Sequence, residues 1–286
     1  ARRGLPLAGG ILPRSSRGVR IESSRPEVRV LQSLSIPVLT PQVSLLALLL
    51  SGHVFGDFLA QTPWLSGRKA EKTWWMVVHG LIVMLTHLVL LSPFWSRPVV
   101  LAAVALAVAH FFIDISNRAF ASAHGLSLPQ FLVDQAFHAA SIIVAWHLLA
   151  VALDSGDVAL HSGRWASIMG LACLVLSGFV LNTRGGTIAI SRVFVAHPEL
   201  LPEQRGADPK QLGWGRTAGH LERSLFYVLV LLGQWIALGL VVAAKAWRGG
   251  PPIKDCQEEY YRSIGFLASI LVAVVTGVMI RLILAA

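Results

Sequence analysis

The sequence predicts an all-α integral membrane protein, and three observations carry that prediction. Hydrophobic side chains make up 55% of the 286 residues and charged ones only 14%, whereas a soluble domain is about a quarter charged. The apolar residues gather into runs close to the ~20 residues a helix needs to cross the hydrocarbon. The runs also lack the alternating polarity of barrel strands, and backbone groups in lipid must be satisfied internally, so helices are the spanning element.

Taken in order, the runs fall at residues 42–61, 73–91, 99–120, 128–153, 165–182, 225–247 and 264–285. They predict about seven spans, the fifth being the shortest. Short connections join the first four, which predicts an antiparallel bundle. Three regions follow: a basic extension at residues 1–36, a four-helix membrane module at 37–153, and a three-helix module at 154–286 with a cytoplasmic loop near 184–222.

The extension holds Arg2, Arg3, Arg14, Arg17, Arg20, Arg25 and Arg29 among many Gly, Ser and Pro, a composition that cannot build a core. Arg-rich, acid-poor sequence resembles a transit peptide and equally suits an upstream extension of no structural consequence, the reading favoured here. In the long loop, residues 187–195 mix Ile188, Ile190, Val193 and Phe194 with Arg192, the pattern of an amphipathic interfacial helix. The following Pro202, Gly206, Pro209 and Gly213 read as loop.

Basic residues cluster after the first span, at Arg68, Lys69 and Lys72, and between the fifth and sixth, at Arg184, Arg192, Arg205, Lys210, Arg216 and Arg223. The positive-inside rule places these loops in the cytoplasm, although the basic extension, Lys245, Arg248 and Lys254 then fall outside. Such flanking residues account for the net charge of +9. No nucleic-acid partner is expected, because no basic and aromatic soluble module is present. Cys173 in a span and Cys256 in a loop have no spacing that suggests a disulfide framework or thiolate metal site. Glu222, Arg223 and Lys245 read as interfacial or surface charges.

The chemistry lies in polar residues inside the spans. His53 and Asp57 in "SGHVFGDFLAQ" are i and i+4, a spacing that puts both on one helix face. The spacing recurs as His110 and Asp114 in "HFFID" and, reversed, as Asp134 and His138 in "DQAFH"; the second span adds His79 and His87. At ~1.5 Å per residue, Asp57 lies roughly 6 Å and His53 roughly 12 Å from the end of the first span, and the others reach similar depths. Because the chain reverses at each span, these groups share one layer on the side of Arg68. His87 is deeper and His147 isolated, and both read as packing or partner residues.

An ionisable group deep in a bilayer costs several kcal/mol unless paired, hydrated or bound. Interhelical glue explains one pair, but small residues or a single Asn would hold helices at lower desolvation cost. A metal site explains the whole layer. Imidazole and carboxylate ligands without thiolate suit a divalent metal such as zinc, manganese or iron, with His53, Asp57, His79, His110, Asp114, Asp134 and His138 as the ligand pool and some as orienters or ligands of a second ion. Asp57, Asp114 and Asp134 are the candidate catalytic groups. Gly52 and Gly56 would admit a neighbouring helix, and Gln61 and Gln135 would bond a carboxylate or ligand.

The motifs "HVFGDFLAQT", "HFFID" and "DQAFH", with a His in the second span, resemble a bacterial polytopic membrane family, domain of unknown function 3307. The stretch "GHLERSLFYVLVLLGQWIALGLVVAAKA", with "IKD" and "IGFLAS" after it, is similar to the C-terminal extension of longer members. The resemblance implies the bacterial inner membrane and supplies no activity. The general plan also resembles small membrane proteins described as metal-dependent hydrolases.

Three functions remain open on the sequence. One is a metal-dependent hydrolase of a lipid or lipid-phosphate substrate, with Arg68, Lys69, Lys72 and Arg118 placed to hold a phosphate or serving as topology signals. A divalent cation or proton transporter is the second. The third is an assembly module, forming a homo-oligomer or membrane complex through the C-terminal half.

Overall fold

The computed structural model describes residues 38–196, 198–200, 209–248 and 256–285, and the chain from Val38 groups as one compact unit. The basic extension at 1–36 lies outside the described residues. All regular structure among the described residues is helical.

Helix α1 (Pro41–Val54) starts at Thr40, whose hydroxyl accepts from the Val43 amide at 3.3 Å, with Pro41 in the first turn, where its missing N–H costs nothing. It continues into a π-helical turn, Phe55–Leu59. Thr62 caps α2 (Pro63–Glu71) in the same way. Then come α3 (Trp74–Leu90), α4 (Arg97–His124) and α5 (Leu128–Asp154). Helix α6 (Gly163–Val180) passes through a second π-helical turn, Leu181–Gly185, into α7 (Gly186–Val193). The chain ends with α8 (Pro209–Leu231), α9 (Trp235–Arg248) and α10 (Cys256–Ala285).

Five helical stretches are long and apolar enough to cross a membrane: Pro41–Leu59, Arg97–His124, Leu128–Asp154, Gly163–Val193 and Glu259–Ala285. The chain is a membrane protein on this ground, and of the seven expected spans the other two fall on shorter apolar helices, Trp74–Leu90 and Trp235–Trp247. Helix α3, at 17 residues, sits at the lower limit for a span.

The expected sixth span is two helices. Gly233 takes φ +71°, the left-handed conformation that ends helices, and Arg281 Nη1 donates to the Val230 and Leu231 carbonyls at 3.2 and 3.4 Å. Helix α9 then folds back so that Lys245 pairs with Glu222 of α8. The expected fifth span, read as the shortest, is instead a 31-residue stretch, because the π-turn lets α6 run on into the segment expected to lie along the interface. Helix α8 begins at Pro209, inside the region read as loop, and Cys256 opens α10.

Helix α1 is the central post. Of its most apolar window 61% is buried, against 22% for α4 and 17% for α5, whose outward residues, Phe112, Leu132, Phe137 and Leu148, form an exposed apolar belt. Helix α1 packs on α3, α5 and, most extensively, α6, across the division expected at residue 154; α3 packs on α4 and α4 on α5. Gly52 and Gly56 seat α3. A Cβ on Gly52 would lie 2.7 Å from the His87 ring and one on Gly56 2.9 Å from Val83, as expected for small residues at a membrane helix contact.

Candidate metal centre

Four helices bring the His and Asp residues together. His53 lies in α1 and Asp57 in the π-helical turn that continues it; both approach His110, and each has a further partner of its own. Turns of this kind recur at functional sites. Asp57 Oδ1 faces His79 Nε2 of α3 at 3.2 Å, whereas the His53 ring stacks on His138 of α5 with centroids 4.8 Å apart.

His79 Nε2 and His110 Nε2 face one another at 2.9 Å. Around them, Asp57 Oδ1 lies 3.9 Å from His110 Nε2, and Asp114 Oδ2 lies 3.8 and 3.7 Å from the two imidazole nitrogens. Ligand atoms at ~2.0–2.1 Å from one tetrahedral ion stand roughly 3.3 Å apart, the middle of this range. Without an ion the arrangement is poorly paired. A proton on His79 Nε2 must serve both Asp57 and His110, while His79 Nδ1 is buried with no partner.

The second half of the cluster belongs to α5. His138 Nδ1–H donates to the Asp134 carbonyl at 2.9 Å, which leaves the lone pair on Nε2, and that atom is buried without a partner. Asp134 Oδ2 accepts from Gln135 Nε2 at 3.0 Å, which orients the amide so that Gln135 Oε1 accepts from His53 Nε2 at 3.4 Å. Asp134 Oδ1 is buried without a partner. His110 joins the halves, its ring 4.3 Å from that of His138 and 4.9 Å from that of His79. Ligand atoms within 4.8 Å of one another define three overlapping sets: Asp57, His79 and His110; His53, His110 and His138; and Asp114, Asp134 and His138.

The basic residues separate. Lys69 reaches in from α2 and donates to Asp114 Oδ2 at 2.6 Å and Gln61 Oε1 at 2.9 Å. Arg118 Nη1 holds the Lys69 carbonyl at 3.2 Å, fixing α2 over the cluster. Arg68 is exposed and pairs with Glu71 at 3.7 Å, and Lys72 is exposed; neither contacts the cluster. His87 is occupied elsewhere, its nitrogens 2.8 and 3.2 Å from the Val83 and Leu49 carbonyls, as a packing residue should be. His147 is exposed.

A second polar group was not expected. Arg223, read as an interfacial charge, is 5% exposed. Its Nε donates to the Asn182 carbonyl at 2.6 Å, Nη1 to Ser269 Oγ at 3.3 Å, and Nη2 to Thr187 Oγ1 at 2.8 Å and the Thr183 carbonyl at 3.5 Å. Thr187 donates to the Thr183 carbonyl at 2.7 Å, so His220 Nε2, 2.8 Å from Thr187 Oγ1, is a donor. The π-turn Leu181–Gly185 supplies these carbonyls, and Arg184 Nη1 donates from it to the Phe58 carbonyl of the other π-turn at 3.3 Å. The signal in the sequence was Asn182 within an apolar run and Arg223 just before one.

A helical membrane protein with a buried His/Asp cluster roofed by a lysine is the class that fold and site define. Residues 45–167, which contain every cluster residue, match the family described as Protein of unknown function (DUF3307). No curated protein and no solved structure matches the chain.

Proposed function

We propose that the cluster is a divalent-metal centre and that the protein is a metal-dependent hydrolase of a lipid or lipid-phosphate substrate. The observation that carries the reading is the convergence of Asp57, His79 and His110, whose ligand atoms all lie within 4.8 Å of one another, with Asp114 Oδ2 3.8 and 3.7 Å from the two imidazoles. Nitrogen and oxygen ligands suit zinc, manganese or iron. A bound ion supplies a water whose pKa is lowered towards neutrality.

The chain's own groups would complete the chemistry. A spare Asp or His of the cluster would take the proton from the attacking water as the P–O bond forms, and would return it to the lipid alcohol as the ester P–O bond breaks. Lys69, at the roof, would move from Asp114 to a phosphate oxygen once a metal neutralises that carboxylate.

Lipid as substrate is supported by an apolar groove of about 400 Å³ lined by Phe55, Ile82, Leu85, Thr86, Val89 and Leu90. It starts at Phe55, in the π-turn that also carries Asp57, and follows α3 for roughly 12 Å at ~1.5 Å per residue, room for part of an acyl or prenyl chain.

The test is metal content and phosphate release from lipid phosphates by detergent-purified full-length protein beside His79→Ala. Stoichiometric metal and phosphate release, both lost in the variant, are expected. Absence of metal from the wild type overturns the reading. Bound metal with no turnover but with cation uptake into proteoliposomes replaces the hydrolase by a transporter, and bound metal with neither activity leaves an assembly module.

A further inference from the structure

Resting on the metal reading above, we infer that the centre is binuclear: Asp114, Asp134 and His138 hold a second divalent cation beside the one held by Asp57, His79 and His110. Two bare ligand atoms carry the inference. His138 is 1% exposed, its tautomer is fixed by the 2.9 Å bond from Nδ1 to the Asp134 carbonyl, and its Nε2 lone pair meets no donor. Asp134 Oδ1 is also buried without a donor, although Gln135 holds the other oxygen at 3.0 Å. These residues and Asp114 bring ligand atoms within 4.8 Å of one another.

A buried acceptor left unpaired costs about 1–3 kcal/mol, and here two such atoms lie on one turn of α5, Asp134 Oδ1 standing 3.9 Å from Nδ1 of the His138 ring. A cation between them removes both penalties. Residues that are i and i+4 share a helix face, so α5 presents a ready pair of ligands, with Gln135 and through it His53 as orienting partners of the kind that surround metal ligands.

Asp114 makes the pairing of sites specific. Its Oδ2 lies 3.7 and 3.8 Å from the imidazoles of the first set, yet the same carboxylate completes the second. A carboxylate with an oxygen for each ion is the natural bridge. Ions ~3.5–4 Å apart clamp the attacking and leaving oxygens of a phosphoryl transfer together.

Charge points to the substrate. Asp57, Asp114 and Asp134 oppose the single ammonium of Lys69, so one divalent ion brings the ionised cluster to neutrality. A second makes it doubly positive, which suits a phosphate monoester dianion on a lipid rather than a neutral ester.

The experiment is a manganese(II) titration of chelator-stripped, full-length protein in detergent, with bound metal counted by elemental analysis. Wild type is expected to bind two equivalents, and His138→Ala and Asp134→Asn one each with unchanged helicity. A single equivalent in the wild type, as when a water bridges His138 and Asp134, overturns the inference but spares the metal reading; no bound metal overturns both. Two equivalents in a folded His138→Ala variant also overturn it. Should the variants fail to fold, electron paramagnetic resonance of the wild type decides. An exchange-coupled manganese pair at the second equivalent is expected, and spectra of isolated ions only overturn the inference.

Discussion

The chain buries charge in two places, and the two solve the problem differently. Around Arg223 every kind of donor on the guanidinium meets an oxygen: two carbonyls of a π-turn, Thr187 and Ser269. Around His110 ligand atoms face ligand atoms, and His79 Nδ1, Asp134 Oδ1 and His138 Nε2 are buried unpaired. Guanidinium and carbonyls are complementary, so the donors of Arg223 are spent and its role is structural, although Asn182 Oδ1 beside it is buried without a partner. In the second, one imidazole proton faces both a carboxylate and another imidazole while three buried atoms stay without a donor, an arrangement complementary to a cation. Buried ionisable groups therefore mark function in this molecule by what they leave unsatisfied, more than by their number.

The largest expected effect separates the two regions. Asp57→Ala or His79→Ala should weaken metal binding by at least about 100-fold, the upper end of what even outer partners of a metal site contribute, whereas Arg223→Ala should leave it unchanged; calorimetric titration with manganese(II) measures both. Equal losses in the two would erase the distinction. The same Arg223→Ala variant should instead lose stability, about 1–3 kcal/mol for each buried acceptor stripped of its donor, read from denaturant unfolding in detergent.

Gly52→Ala sharpens the comparison from the packing side. Its methyl would enter the His87 ring, and overpacking costs typically about 1–3 kcal/mol. Since α3 also carries His79, metal affinity should fall with stability, and a stability loss with unchanged metal binding would uncouple the glycine seat from the site. Gln135→Ala should leave folding intact and weaken the more weakly held manganese by about 10-fold.

The smallest effect is in pH. Partial burial, then the charges of Arg223, Arg216 and Arg184, hold His220 below its ordinary value of 6.5. The folded state thus resists the proton that the unfolded chain accepts, and stability falls as pH drops below about 6.5. His220→Gln should flatten that slope relative to wild type in melting curves between about pH 7 and 5.

The sequence already displayed the cluster, because each member is a polar residue inside an apolar run and the His/Asp spacing repeats. It also displayed why α1 and α3 touch, through Gly52 and Gly56, and that Gln135 would bond a carboxylate. What it hid depends on backbone phase and on tertiary partners. The π-turn at Phe55–Leu59, which carries Asp57, leaves no mark in the residue spacing. Gly233 ends a helix within an unbroken apolar run, because Arg281, far along the chain, caps the carbonyls there. Lys69 was legible as a basic residue at a span end, but its reach to Asp114 needed α2 to fold over the cluster. Arg223 looked like an interfacial charge because its oxygen partners come from a helix some forty residues away.

X-ray absorption at the metal edge of purified full-length protein tests the central claim most directly. The account expects a nitrogen and oxygen shell at about 2.0–2.2 Å with imidazole scattering beyond it, reduced in His79→Ala and retained in Arg223→Ala. A wild type without stoichiometric metal, or with metal whose shell lacks imidazole, would contradict it.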